Sequence, residues 1–139
     1  MARPSLKHVA AFALAAGTLV ACGSESIDLD SGDQANARMQ QGAELFADRC
    51  AGCHTLQAAG AEGSAFKVHD RERVDGPNFN TRPVDRESVL YAIRNGGFSG
   101  AIMPENIVVG EEAEAVADFL AKYAGRDAAK PATPQSPEP

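Results

Sequence analysis

Two thiols three positions apart and an imidazole directly after them, Cys50-Ala51-Gly52-Cys53-His54, are the residues of this chain best placed to do chemistry. The C-x-x-C-H pattern is that of covalent c-type haem attachment. Each thiol adds across one porphyrin vinyl group, which fixes the cofactor's edge against a single backbone turn. The adjacent His54 imidazole then reaches the iron from the proximal side. A thioredoxin-like dithiol would require a βαβ setting, and the flanks here read as helix. A structural zinc site requires about four closed ligands. This segment offers three, and His69 is the remaining histidine once an N-terminal export segment is removed.

The elements that must position this turn read as helices. Met39, Gly42, Ala43, Phe46 and Cys50 recur at three- and four-residue steps and predict a helix over 35–49, with Asp33 as its N-cap. Met39 lies on that packing stripe and reads as core. Gly42 costs about 1 kcal/mol against Ala in a helix interior, so its presence points to a close backbone approach. Residues 55–75 are polar, with Gly60, Gly63 and the mixed run His69-Asp70-Arg71-Glu72-Arg73. They predict an irregular, solvated segment. His69 reads as an exposed loop residue, with iron ligation as its alternative. Gly76-Pro77-Asn78-Phe79 is a turn signal. Val89, Leu90 and Ile93 predict a second helix over 85–95, capped by Asp85 and stopped by Gly96-Gly97. A loop then delivers Met103-Pro104. Ala113, Val116, Ala117, Leu120 and Tyr123 predict a last helix over 111–123, and Glu111, Glu112 and Glu114 crowd its N-terminal turn. The class is all-α.

The whole chain has 139 residues, room for one small domain. A net charge of −6 and a pI of about 5.0 exclude nucleic acid as a partner. Trp is absent and aromatic residues are 6% of the total, so a covalently held apolar cofactor would help to fill a thin core. Residues 1–21 read as an export signal: Arg3 and Lys7 precede an apolar run from Val9 to Val20, too short to span a bilayer comfortably. Leu19-Val20-Ala21-Cys22 resembles the lipobox of bacterial lipoproteins, in which cleavage before the cysteine leaves that thiol to carry lipid. This reading also accounts for the third cysteine, which otherwise has no partner. Cleavage there would leave a formal charge of −8. Residues 22–34, acidic and rich in Gly and Ser, read as a flexible tether. Residues 125–139 hold four of the eight prolines and read as a disordered tail.

Taken in order, these pieces resemble the small class I c-type cytochromes of bacteria over residues 35–124. The order is what makes the likeness specific: a helix with Gly42 and Phe46, the Cys50–His54 motif, the Gly76-Pro77-Asn78 turn, a helix, the Met103-Pro104 loop, and a C-terminal helix ending in Leu120 and Tyr123. The resemblance implies an all-α cytochrome c fold of three to five helices around one covalent haem. It implies that the first and last helices cross, with Gly42 and Phe46 meeting Leu120 and Tyr123. It also implies thioethers at Cys50 and Cys53 and His54 as proximal iron ligand. The Pro77 carbonyl would accept the other ring N–H. Met103 would be the distal ligand, which suits a high-potential electron-transfer haem. A core methionine is the alternative for Met103, but a glycine-bounded loop gives a core residue less reason to be there. The chain departs from the family pattern in a longer stretch between His54 and Gly76 and in Phe79, where many members carry Leu. Nothing marks the propionate partners; Arg82 and Tyr91 are candidates.

This reading implies a monomeric, lipid-anchored, single-haem electron carrier on the outer face of a bacterial membrane or in the periplasm. It would work between a quinol-oxidising complex and a terminal oxidase or reductase. One alternative is a haem c subunit of a larger oxidoreductase. Another is a gas or redox sensor in which Met103 is labile. A single C-x-x-C-H argues against an independent peroxidase.

Overall fold

A computed structural model of the chain describes residues 27–65, 67–97 and 102–128. The export segment, Cys22 and residues 129–139 lie outside the described residues. Among the described residues the fold is helical: α1 (Ala37–Arg49), α2 (Arg86–Asn95) and α3 (Gly110–Tyr123). Between α1 and α2 sits a small antiparallel hairpin, β1 (Thr55–Leu56) and β2 (Ala61–Glu62), with single 3-10 turns at Gln57–Ala59 and Val68–Asp70.

Local chemistry explains the helix ends. α1 starts two residues later than the periodicity predicts, because its cap is Asn36 and not Asp33. The Asn36 side-chain carbonyl accepts from the backbone N–H groups of Arg38 (3.1 Å) and Met39 (3.4 Å). Asp85 caps α2 by accepting from the Ser88 N–H at 2.8 Å. α3 has no side-chain cap and begins at Gly110, whose φ of +56° suits a residue without a Cβ. Glu111 and Glu112 in its first turn complement the helix dipole instead.

α1 and α3 meet at Gly42. A Cβ there would strike the Ala115 carbonyl oxygen and lie 2.7 Å from the Phe119 Cβ. Phe46 packs on Phe119, ring centroids 6.1 Å apart. The resemblance had implied Leu120 and Tyr123 at this crossing; the structure places Ala115 and Phe119 there. Those two residues lie one turn apart on one stripe of α3. Tyr123 lies a further turn along, stacked on Phe119 at 5.0 Å. On the polar side, Asp118 of α3 accepts from the guanidinium groups of both Arg38 (α1) and Arg86 (α2). Burial pushes its carboxyl up, but those two hydrogen bonds outweigh burial and hold it below the usual carboxylate range.

Parts of the predicted tether and tail, residues 27–34 and 125–128, are packed on the domain. Residues 27–34 form a strap across the C-terminal end of α3. Leu29 is 3% exposed, and the Asp28 N–H donates to the Ala58 carbonyl at 3.0 Å. Tyr123, fully buried, donates its hydroxyl to Asp33 (2.7 Å) and accepts from the Asp30 N–H (2.9 Å). Lys122 also pairs with Asp33. Arg126 grips the Asp30 carboxylate with two nitrogens, at 3.0 and 2.7 Å, while its guanidinium lies 3.9 Å from the Tyr123 ring centroid. Asp30 and Asp33, which read as part of a flexible tether, are therefore partners for Arg126 and Lys122 at the end of α3. Residues 125–128 continue this packing, with Gly125 and Asp127 donating backbone hydrogen bonds to Phe79 and Asn80.

Candidate functional site

The Cys50–His54 turn forms where α1 ends. Cys50 is the helix C-cap, and its carbonyl accepts from the N–H groups of Cys53 (3.1 Å) and His54 (3.0 Å). The turn thus closes on itself and carries both thiols, half-buried and free. Burial, then the neighbouring Cys53, pushes the Cys50 thiol up to about 11. A neutral, half-buried thiol is a poor redox nucleophile, which weighs against dithiol exchange. Among the described residues no group of three or more His, Cys, Asp or Glu side chains is arranged to hold a metal ion.

His54 is 8% exposed. Its Nδ1 lies 3.2 Å from the Pro77 carbonyl oxygen, so the ring donates there and Nε2 keeps its lone pair. Burial lowers its pKa against the opposing effect of that hydrogen bond, which favours the neutral imidazole that iron requires. Phe79 stacks on the ring at 4.9 Å between centroids and 18° between planes.

Two glycines brace the site, and spacing alone did not mark either. A Cβ at Gly76 would fall on the His54 ring, 2.8 Å from Nε2. A Cβ at Gly63 would strike the Ala51 carbonyl and lie 2.7 Å from the Cys53 nitrogen. The segment 55–75, predicted as irregular, turns out to be built around this approach. Thr55 is buried and exchanges hydrogen bonds with the Ser64 backbone through its hydroxyl, at 3.1 and 3.0 Å. The hairpin thereby lays Gly63 under the attachment turn, and the Gly63 N–H donates to the His54 carbonyl at 3.2 Å. The sequence signal was Gly63 itself, a residue that composition files under loop.

Met103 is half-buried and packs on the same core as Cys50 and Phe79. Its loop is fixed at the end of α2. Gly96 is buried with φ +74°, and a Cβ there would lie 2.8 Å from the Met103 carbonyl oxygen. The Asn106 N–H donates to the Ile93 carbonyl at 2.7 Å, and Asn106 itself takes a left-handed φ of +54°. Residues 98–101, just before this loop, lie outside the described residues. His69 is exposed, with its Nε2 3.2 Å from the Asp70 carboxylate. Arg82 and Tyr91 are both exposed.

Two thiols on one closed turn, a neutral imidazole with Nε2 free, and a thioether on a fixed loop make a donor set that fits a covalently attached haem. Residues 37–120 match the family model described as cytochrome c oxidase, cbb3-type, subunit III, and the chain belongs to this family of class I c-type cytochromes, with haem c as its iron-bearing cofactor. It is similar to cytochrome c-551 of Bacillus subtilis (strain 168), 30% identical over 109 residues that span 75% of this chain and 83% of that protein. Among the described residues no helix is long and apolar enough to cross a membrane.

Proposed function

We propose that this cytochrome is an exported single-electron carrier, held at a membrane by lipid on Cys22. Cys50 and Cys53 would form the thioethers, and His54 and Met103 the axial pair. The bound haem supplies the ferric/ferrous couple; the chain's own residues attach it, orient it and keep water from it. The observation that carries the reading is the His54 imidazole, neutral, buried and engaged at Nδ1 by Pro77, with one nitrogen left for iron. With Met103 as the second ligand, the protein would supply both iron ligands and leave no position for a substrate. One electron enters and one leaves, and none of these residues needs to exchange a proton.

The absorption spectrum of the oxidised holoprotein tests this. The weak band at the red edge that reports iron–methionine sulfur bonding is expected, and it should vanish in Met103→Ala with haem retained. A bound haem without that band would remove Met103 from the site. Carbon monoxide binding by the reduced wild type would then bring the sensor reading forward. A second reading, a subunit that wires a larger oxidase, is favoured by the description of the matching family. Co-purification of oxidase subunits after mild detergent extraction would decide for it; recovery of this chain alone supports the carrier. Mass spectrometry of the mature N-terminus tests lipid on Cys22.

A further inference from the structure

The hydrogen bond to Pro77 holds the His54 ring at one atom and leaves its plane free to swing. Three further observations close that freedom. Phe79 lies nearly flat on one face of the imidazole, 4.9 Å between centroids. Phe46 meets Phe79 edge-on at 6.0 Å and stands 6.3 Å from the imidazole. Phe79 is in turn held by its backbone on both sides. Its N–H donates to the Thr55 carbonyl at 2.8 Å, and its carbonyl accepts from the Gly125 N–H at 2.7 Å. The neighbouring Asn80 accepts from the Asp127 N–H at 2.8 Å and, through its side chain, from the Gln57 N–H at 2.8 Å. Gly125 takes φ +76°, and a Cβ there would lie 2.6 Å from the Pro83 Cα. Only glycine lets the chain after α3 come this close.

We propose that Phe79, held in place by the turn at Gly125, is a positioning residue that sets the plane of the His54 imidazole toward the iron. The plane matters because the imidazole π orbitals overlap different iron orbitals as the ring turns, which redistributes unpaired spin over the porphyrin. Stacking also shields the Nδ1–H···O=C bond from water and so tunes how basic the ligand is. This inference rests on His54 as the axial ligand.

The test is proton magnetic resonance of the oxidised holoprotein. Iron-shifted His54 ring protons in the wild type establish the ligand first; their absence would overturn the axial reading and the clamp with it. Phe79→Leu removes the flat contact and keeps apolar volume. The order of the four haem methyl shifts is expected to change, and the His54 Nδ1–H to exchange on the order of tenfold faster, as loss of one aromatic pair implies. Phe79→Tyr, which restores a ring, should return both toward wild type. Gly125→Ala leaves every side chain of the site in place and should alter the methyl order in the same direction as Phe79→Leu. Gly32→Ala, where a Cβ meets nothing within 4 Å, should not. If Phe79→Leu fails to retain haem, Gly125→Ala gives the same readout. A wild-type methyl order and exchange rate in either variant, folded and loaded, would overturn the proposal even if its melting temperature fell.

Discussion

A methyl group added at residue 76 would fall on the imidazole of His54, and one added at residue 63 would fall on the carbonyl of Ala51. Gly76→Ala and Gly63→Ala are therefore expected to destabilise the fold by about 1–3 kcal/mol each, as overpacking does, and to lower the yield of haem-loaded protein. Urea unfolding and the haem-to-protein absorbance ratio check both. Gly42→Ala should act in the same direction, because the helix propensity it gains, about 1 kcal/mol, is outweighed by collision with the Ala115 carbonyl. At this scale the sequence was legible where chemistry is written in adjacent residues. Cys50, Cys53 and His54 could be read from spacing, and Gly42 from its cost in a helix. Gly63, Gly76 and Gly125 could not, because each is small for the sake of a residue distant in the chain.

At the scale of elements, Asp118 joins all three helices through Arg38 and Arg86. Part of this network is open to solvent, so Asp118→Ala is expected to cost only about 1 kcal/mol, measured by thermal or urea unfolding at low salt. A pH series gives a sharper signature. Hydrogen bonds from Arg126 to Asp30, and from Lys122 and Tyr123 to Asp33, hold those carboxyls below 3.8, as the two arginines do for Asp118. Each group binds its proton more tightly in the unfolded chain. The stability they contribute is therefore complete above about pH 4 and is lost as pH falls through the folded values. Unfolding free energy should be flat on the neutral side and decline into acid, and Asp118→Asn with Asp33→Asn should flatten the decline. Periodicity placed all three helices to within two residues. It underestimated α3, whose expected face omitted Ala115 and Phe119. That helix packs against both α1 and α2, so its buried arc is wider than one stripe. The misplaced cap has a similar cause. Asp33 and Asn36 are both good cap residues, and only the distant Lys122 and Tyr123 draw Asp33 away.

For the molecule as a whole, the acidic balance (−6 for the full chain, −8 after cleavage before Cys22) predicts that electron transfer to a basic partner surface slows as ionic strength rises, whereas a neutral mediator is unaffected. Stopped-flow reduction at two salt concentrations tests this. A chain beginning at residue 35 should lose about 2 kcal/mol or more relative to one beginning at residue 27, since it forfeits Leu29 and strands the Tyr123 hydroxyl. Composition could not reveal that boundary, because the strap is ordered by the far end of α3 and not by its own residues.

If Cys22 carries lipid as proposed, the strap also limits how far the domain can stray. With lipid on Cys22, as proposed, five peptide steps would separate that residue from Ile27, which packs on the core. Fully extended, they reach about 18 Å. A domain of this length has a radius of gyration of about 13 Å, so its width exceeds that reach. So anchored, such a body would have little room to turn at the surface. Under the proposed lipid anchor it would pivot on a short chain, with the strap and the C-terminal end of α3 held near the lipid. A longer chain at residue 26 should then relax that constraint.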